Sequence, residues 1–174
     1  MPHWAAQFCC IGVCSVLLAA DTPAVLLDVP FIKQEKDGCG AATLAMVMQY
    51  WQVKQGRPVT ANADDILQAL YSRRAHGIYA SDMEQYLKEH GFRTFALRGE
   101  WSDLKHHLEK GRPLIVALKI TRDDMHYVVV TGMDQDVVLK HDPADRKLRK
   151  QHRSEFEREW KGSGNWTLLA VPAP

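Results

Sequence analysis

The periodicity of this chain changes once, near Leu114, and that change restricts the fold more than any other feature. Before it, apolar residues recur at helical spacing between polar breaks. After it come LIVALKI (114–120), HYVVVTGM (126–133) and DVVLKH (136–141), short β-branched runs separated by polar turns. SEFEREWKG predicts a final helix with Ser154 and Glu157 as a capping box, and NWTLLAV reads as a closing strand. Helices first and strands afterwards predict an α+β fold with an antiparallel sheet, because a parallel sheet needs helices alternating with its strands. The natural cleft of such a chain lies between the helical half and the sheet half.

Within the helical half, Gly40 to Trp51 is dense in Ala, Leu, Met and Val and free of proline. That predicts a buried helix starting at or just after Cys39. TANADDILQALYSRR predicts a second helix ending before Gly77. SDMEQYLKEHG opens on a capping box, Ser81 with Glu84, and closes on Gly91; WSDLKHHLEKG takes Ser102 as its cap and Gly111 as its stop. Ahead of them, Pro23 to Gln34 reads as a linker followed by a short extended segment.

The chain has 174 residues, which suits one domain, and its 22 Lys+Arg against 21 Asp+Glu give no electrostatic reason to expect a nucleic acid as partner. Residues 1–20 hold no Asp, Glu, Lys or Arg, and Phe8 to Ala20 is an apolar run of secretory-signal length. The expected organisation is a signal over 1–20, a linker over 21–27 and a domain over 28–174, with the mature chain exported to the periplasm or the outside. A retained membrane anchor is the alternative, and only then is a membrane a partner. Three of the 4 cysteines, Cys9, Cys10 and Cys14, fall inside that segment. A cleaved chain keeps Cys39 alone, and an unpaired thiol in an oxidising compartment is a liability unless it is buried or used.

Cys39 sits between Gly38 and Gly40, where the long helix begins. Free backbone N–H groups and the helix dipole there favour a thiolate over a thiol and can stabilise an oxyanion beside the sulfur. The two glycines are expected to admit a substrate backbone and to permit unusual dihedrals. A buried, inert cysteine is the commoner reading of such a residue taken singly, so partners decide. His126 stands at the mouth of the strand HYVVV and suits a general base. If that strand pairs with the next through GMDQ, its start lies beside the end of its partner, which brings Asp142 next to His126 to hold the imidazole. Gln34, five residues before Cys39, offers a carboxamide N–H for an oxyanion hole. His106 and His107 are adjacent on a helix and diverge too far to share one metal ion, so no metal is expected. His141 directly precedes Asp142 and in a strand points to the opposite face. Trp51, Tyr79, Trp101 and Tyr127 are candidates for a substrate groove or for core packing.

Together VPFIKQ, GCGAATLAMVMQYW, MHYVVVTG, KHDPAD and SEFEREWKG resemble the papain-like cysteine peptidases that process bacteriocins at double-glycine leaders. The resemblance runs in order over residues 28–172. It implies a papain-like α+β fold, no metal and no organic cofactor, and a peptide or protein substrate; whether the cut follows a Gly–Gly pair stays open. It also implies Cys39 as nucleophile, His126 as general base and acid, Asp142 as the orienting residue and Gln34 as the oxyanion-hole side chain. Members of that family are often the first domain of an exporter with membrane helices and an ATPase, which this sequence lacks, so a stand-alone relative is expected. Papain-like cell-wall peptidases or amidases are the alternative, with His141 as the third polar group. A non-catalytic peptide-binding module on the same fold is the third reading, and the retention of both cysteine and histidine favours an enzyme.

Overall fold

A computed structural model describes Met1, residues 25–121 and residues 125–174. The expected signal beyond Met1, residues 21–24 of the expected linker and residues 122–124 ahead of His126 lie outside the described residues.

The first long helix, α1 (Cys39–Lys54), buries Gly40 through Met48 and Tyr50. A helix without a polar face has to be surrounded on all sides. Two helices, α2 (Ala63–Leu70) and α3 (Ala80–Glu89), pack on one side of α1, and a sheet packs on the other. The sheet contains β2 (Phe92–Arg98), β3 (Leu114–Lys119), β4 (Met125–Met133), β5 (Val137–His141), β6 (Arg149–His152) and β7 (Trp166–Pro172). Their order is β2-β7-β3-β4-β5-β6, every neighbouring pair antiparallel, and β1 (Val25–Leu26) pairs with β4 off that path. β1 thus takes Val25 and Leu26 of the expected linker into the sheet.

Side-chain alternation makes the sheet two-faced. Ile115 of β3 and Val129 of β4 turn toward α1 and share its core with Leu168 and Ala170 of β7. Leu114, Val116, Leu118, Val128 and Val130 turn the other way. There they meet Leu104 and Leu108 of α4 (Trp101–Glu109) and Phe156 and Trp160 of α5 (Arg153–Gly162). The expected α+β fold with an antiparallel sheet is what forms, with helices on both faces of the sheet. β2 and β6 go beyond the expected strands. The polar-looking FRTFALR and RKQH pair because the sheet edge needs partners.

Helix stops are legible and helix starts are less so. Gly91 (φ 83) and Gly111 (φ 69) adopt the left-handed conformation just past α3 and α4, as expected of C-terminal glycines. The expected capping boxes are absent from α3 and α5, which start one residue before Ser81 and Ser154, with Tyr79 and His152 at the caps and no side-chain cap bond. β6 feeds α5 directly, and Arg153 N–H bonds the Asp136 carbonyl at 2.8 Å. Glu100 rather than Ser102 caps α4, in a reciprocal box with Asp103. α2 is capped by Asn62 and stops at Leu70, because Tyr71 turns extended (ψ 126) and Ser72 bridges to Gly77.

A strap from Leu27 to Asp37 is laced onto the sheet. Leu27 N–H bonds the Thr131 carbonyl at 2.7 Å, and Gln34 N–H bonds the Pro143 carbonyl at 3.0 Å. Thr131 lies at an irregularity between Val130 and Gly132 where the β4–β5 register shifts. A Cβ at Gly132 would stand 2.6 Å from the Val25 carbonyl oxygen. Gly132→Ala is therefore expected to push β1 off the sheet and to cost about 1–3 kcal/mol in urea unfolding. An unchanged midpoint would mean that β1 is not rigidly docked there.

Candidate active site

Cys39 is the first residue of α1, half-buried, with Gly38 at the cap position and no side-chain cap bond. The tight turn before it is made by Asp37, which carries the positive φ (58). Gly38 has an ordinary φ of −96. Its lack of a side chain serves a close approach, since a Cβ there would lie 3.0 Å from the Glu35 carbonyl oxygen. Gly40 is likewise buried against Ile78, its notional Cβ 3.2 Å from the Ile78 Cβ. Both glycines are thus set by packing of the joint, a correction to the expectation of unusual dihedrals and open access.

His126 is the second residue of β4, and its Nε2 donates to Asp142 Oδ1 at 2.7 Å. Asp142 follows the last residue of β5 and is 4% exposed. With Nε2 committed to the carboxylate, Nδ1 is the nitrogen left for Cys39, whose side chain acts on the imidazole from α1. Burial works against an imidazolium here, yet the Asp142 bond and the Cys39 bond and charge outweigh it and hold His126 up at about 9. Burial also works against the Asp142 carboxylate, but the His126 bond, the Lys140 ammonium and the Ala144 N–H keep it below its ordinary range. Tyr127, beside the same sulfur, is pushed up to about 12 by burial and by the Cys39 charge. One imidazole therefore bonds a carboxylate and is acted on by a sulfur, three groups drawn from α1, β4 and the end of β5.

The strap carries Gln34 to the end of β5. Its backbone is tied to Pro143, next to Asp142, and its side-chain oxygen is buried without a hydrogen-bond partner. His141 is occupied elsewhere: Nε2 donates to the Val29 carbonyl at 2.8 Å and Nδ1 accepts from Leu148 N–H at 3.1 Å. Burial holds its imidazole below its ordinary value. A neutral ring with both nitrogens engaged secures the strap and leaves nothing for a third polar position beside His126. Of the four aromatics, Tyr127 lies at the cluster, and Tyr79 is exposed at the cap position of α3. Trp51 bonds the Ala170 carbonyl at 3.0 Å in the core, and Trp101 carries Arg153 over its ring on the α4–α5 face.

Two cations at the site escaped sequence reasoning. Lys140 Nζ lies 3.7 Å and Arg149 Nη1 lies 3.5 Å from Asp142 Oδ2. A lysine inside the apolar run VVLKH was the available signal for the first. Arg149 had none, because β6 does not read as a strand.

An α+β domain with a thiol at the start of its central helix, facing an imidazole on the adjoining antiparallel sheet, has the papain-like cysteine peptidase fold. The chain belongs to the Peptidase_C39 like family, whose profile matches residues 26–167. It is 32% identical over 147 residues to the transport/processing ATP-binding protein ComA of Streptococcus pneumoniae, covering 78% of this chain and 18% of ComA. The chain thus spans under a fifth of the length of that relative. Among solved structures, a putative C39-like peptidase from Bacillus anthracis superposes with a TM-score of 0.70 at 20% identity, over 87% of this chain and 98% of the other. A double glycine motif protease from an AMS/PCAT transporter, solved in complex with the leader peptide, superposes with a TM-score of 0.67 at 25% identity, over 86% and 96%.

The raised value of His126 carries a pH signature. Its folded value of about 9 lies above the ordinary 6.5, so its contribution to stability is complete below 6.5 and fades as pH rises through 9. NMR titration is expected to find the His126 ring protonated at pH 7.5 with a midpoint near 9. Asp142→Asn should bring that midpoint down. A wild-type midpoint at the ordinary histidine value would contradict the bridged arrangement.

Proposed function

We propose that this protein is a cysteine-type peptidase acting through Cys39, His126 and Asp142. The observation that carries the reading is the His126 imidazole bonded to the Asp142 carboxylate at 2.7 Å with the Cys39 side chain acting on the same ring. In the proposed cycle the Cys39 thiolate attacks a peptide carbonyl and forms a tetrahedral oxyanion. His126 then donates its Nδ1 proton to the departing amine as the carbon–nitrogen bond breaks. Water, deprotonated by the now neutral imidazole, hydrolyses the thioester and frees Cys39. Asp142 holds the ring so that Nδ1 faces the sulfur throughout.

The oxyanion is assigned to the Cys39 backbone N–H and the Gln34 carboxamide. Free N–H groups at the first turn of α1 supply the first donor. The Gln34 carboxamide supplies the second through its N–H group, and its oxygen is buried without a hydrogen-bond partner. A peptide is the proposed substrate, with a cut after Gly–Gly; the leader peptide bound by the solved relative from an AMS/PCAT transporter supports that choice. Export of the chain, read from residues 1–20, belongs to the same proposal.

The test is cleavage of peptides with and without a Gly–Gly pair, products identified by mass spectrometry. Cys39→Ala should abolish turnover while circular dichroism stays native, and any residual cleavage at the wild-type rate excludes the mechanism. Gln34→Ala should lower kcat about 10²-fold or more, the loss typical of one oxyanion donor. Absence of cleavage by a wild-type protein that still binds these peptides would assign the chain to a binding module instead.

A further inference from the structure

β5 carries a lysine where its neighbours are core residues. Val138, two positions earlier on the strand, packs with Phe156 and Trp160, whereas Lys140 is 1% exposed and ends in an ammonium. Burying such a charge is costly unless it is paired. Its partner is Asp142, whose two oxygens have separate duties. Oδ1 accepts from His126 at 2.7 Å and from Ala144 N–H at 3.2 Å. Oδ2 faces Lys140 at 3.7 Å and Arg149 at 3.5 Å. Lys140 and Arg149 are register partners on β5 and β6, so the sheet delivers both cations to one oxygen.

The other charged groups of the neighbourhood are few. Glu159 of α5 acts on Lys140 and accepts from Gln151 at 2.8 Å. Asp145 takes the exposed side of Arg149 at 3.1 Å. Cys39 of α1 stands beyond His126. Among the described residues, the cations on the carboxylate are Lys140, Arg149 and the imidazolium it serves.

We propose that Lys140 is a positioning residue of the site: it fixes Oδ2 of Asp142 and partly neutralises it, which tempers the pull of that carboxylate on the His126 proton. A general acid has to release its proton as well as hold it. A buried carboxylate without cations behind it would hold the imidazolium too firmly for transfer to a leaving amine. For its effect on turnover this proposal rests on the peptidase reading; its effect on the imidazole does not.

Lys140→Met fills a similar volume without the charge, and Lys140→Gln keeps a polar end. The measurement is the His126 titration midpoint by NMR in substrate-free protein. Either variant should raise the midpoint by about half a unit or more, the reverse of Asp142→Asn. In an Asp142→Asn background the same substitution should add no further shift, because its route through the carboxylate is gone. A lysine that only packs leaves the midpoint unmoved, and one that acts directly on the imidazole shifts it equally in both backgrounds; either result overturns the proposal. Failure of both variants to fold assigns the lysine to the core and overturns it too. Where the wild type cleaves peptides, kcat should fall with KM unchanged, and the alkaline limb of the rate should move up with the midpoint. Wild-type protein without turnover but with the predicted shifts would refute the peptidase reading and leave the role of Lys140 standing.

Discussion

The antiparallel pairing of β4 with β5 is the constraint on which the rest of the site depends. Val129 stands opposite His141, so the start of β4 and the end of β5 must share one end of the hairpin. His126 and Asp142 meet there as a consequence of strand direction and not of any sequence nearness. The pairing is hard to slip. β4 is held by β3 along its other edge and by α1 above, and a one-residue shift would turn Val128 and Val130 out of one core and Val129 out of the other.

The third member of the cluster arrives by a different route. α1 has no polar side to offer solvent, so it sinks between α2, α3 and the sheet, and its first residue emerges where β4 begins. The strap preceding it is fastened to the same hairpin at Thr131, His141 and Pro143, the middle contact running from the neutral His141 ring to the Val29 carbonyl. A histidine that sequence reasoning weighs as chemistry therefore serves as a fastener. The nearby aspartate does the electrostatic work, and the difference lies in what each side chain can reach across the strand.

Electrostatically the site is a row of alternating signs beginning at the imidazole beside Cys39: imidazolium, carboxylate, ammonium with guanidinium, then a glutamate on α5. Each buried charge is tolerated because the next has the opposite sign. Replacing one member alters the protonation of its neighbours, so the imidazole belongs to a chain of groups and not to an isolated pair. The same chain links the thiol on the α1 side of the sheet to a helix packed on the opposite face.

Much of this was written in the sequence. The helical density after Cys39, the glycines at 91 and 111, the three β-branched runs and the pairing of His126 with Asp142 all follow from local preference and from the geometry of a hairpin. Local preference is strong where a segment is long, apolar or broken by glycine. Other features were settled only by tertiary contact. β2 and β6 are strands because the edges of the sheet required partners, and α3 and α5 begin ahead of their serines because the incoming chain is held elsewhere. Gly38 and Gly40 are needed by Glu35 and Ile78, and Lys140 lies behind Asp142 because two strands put it there. A sequence specifies which groups it has and which local turns they prefer; which buried charge faces which depends on packing between segments far apart along the chain.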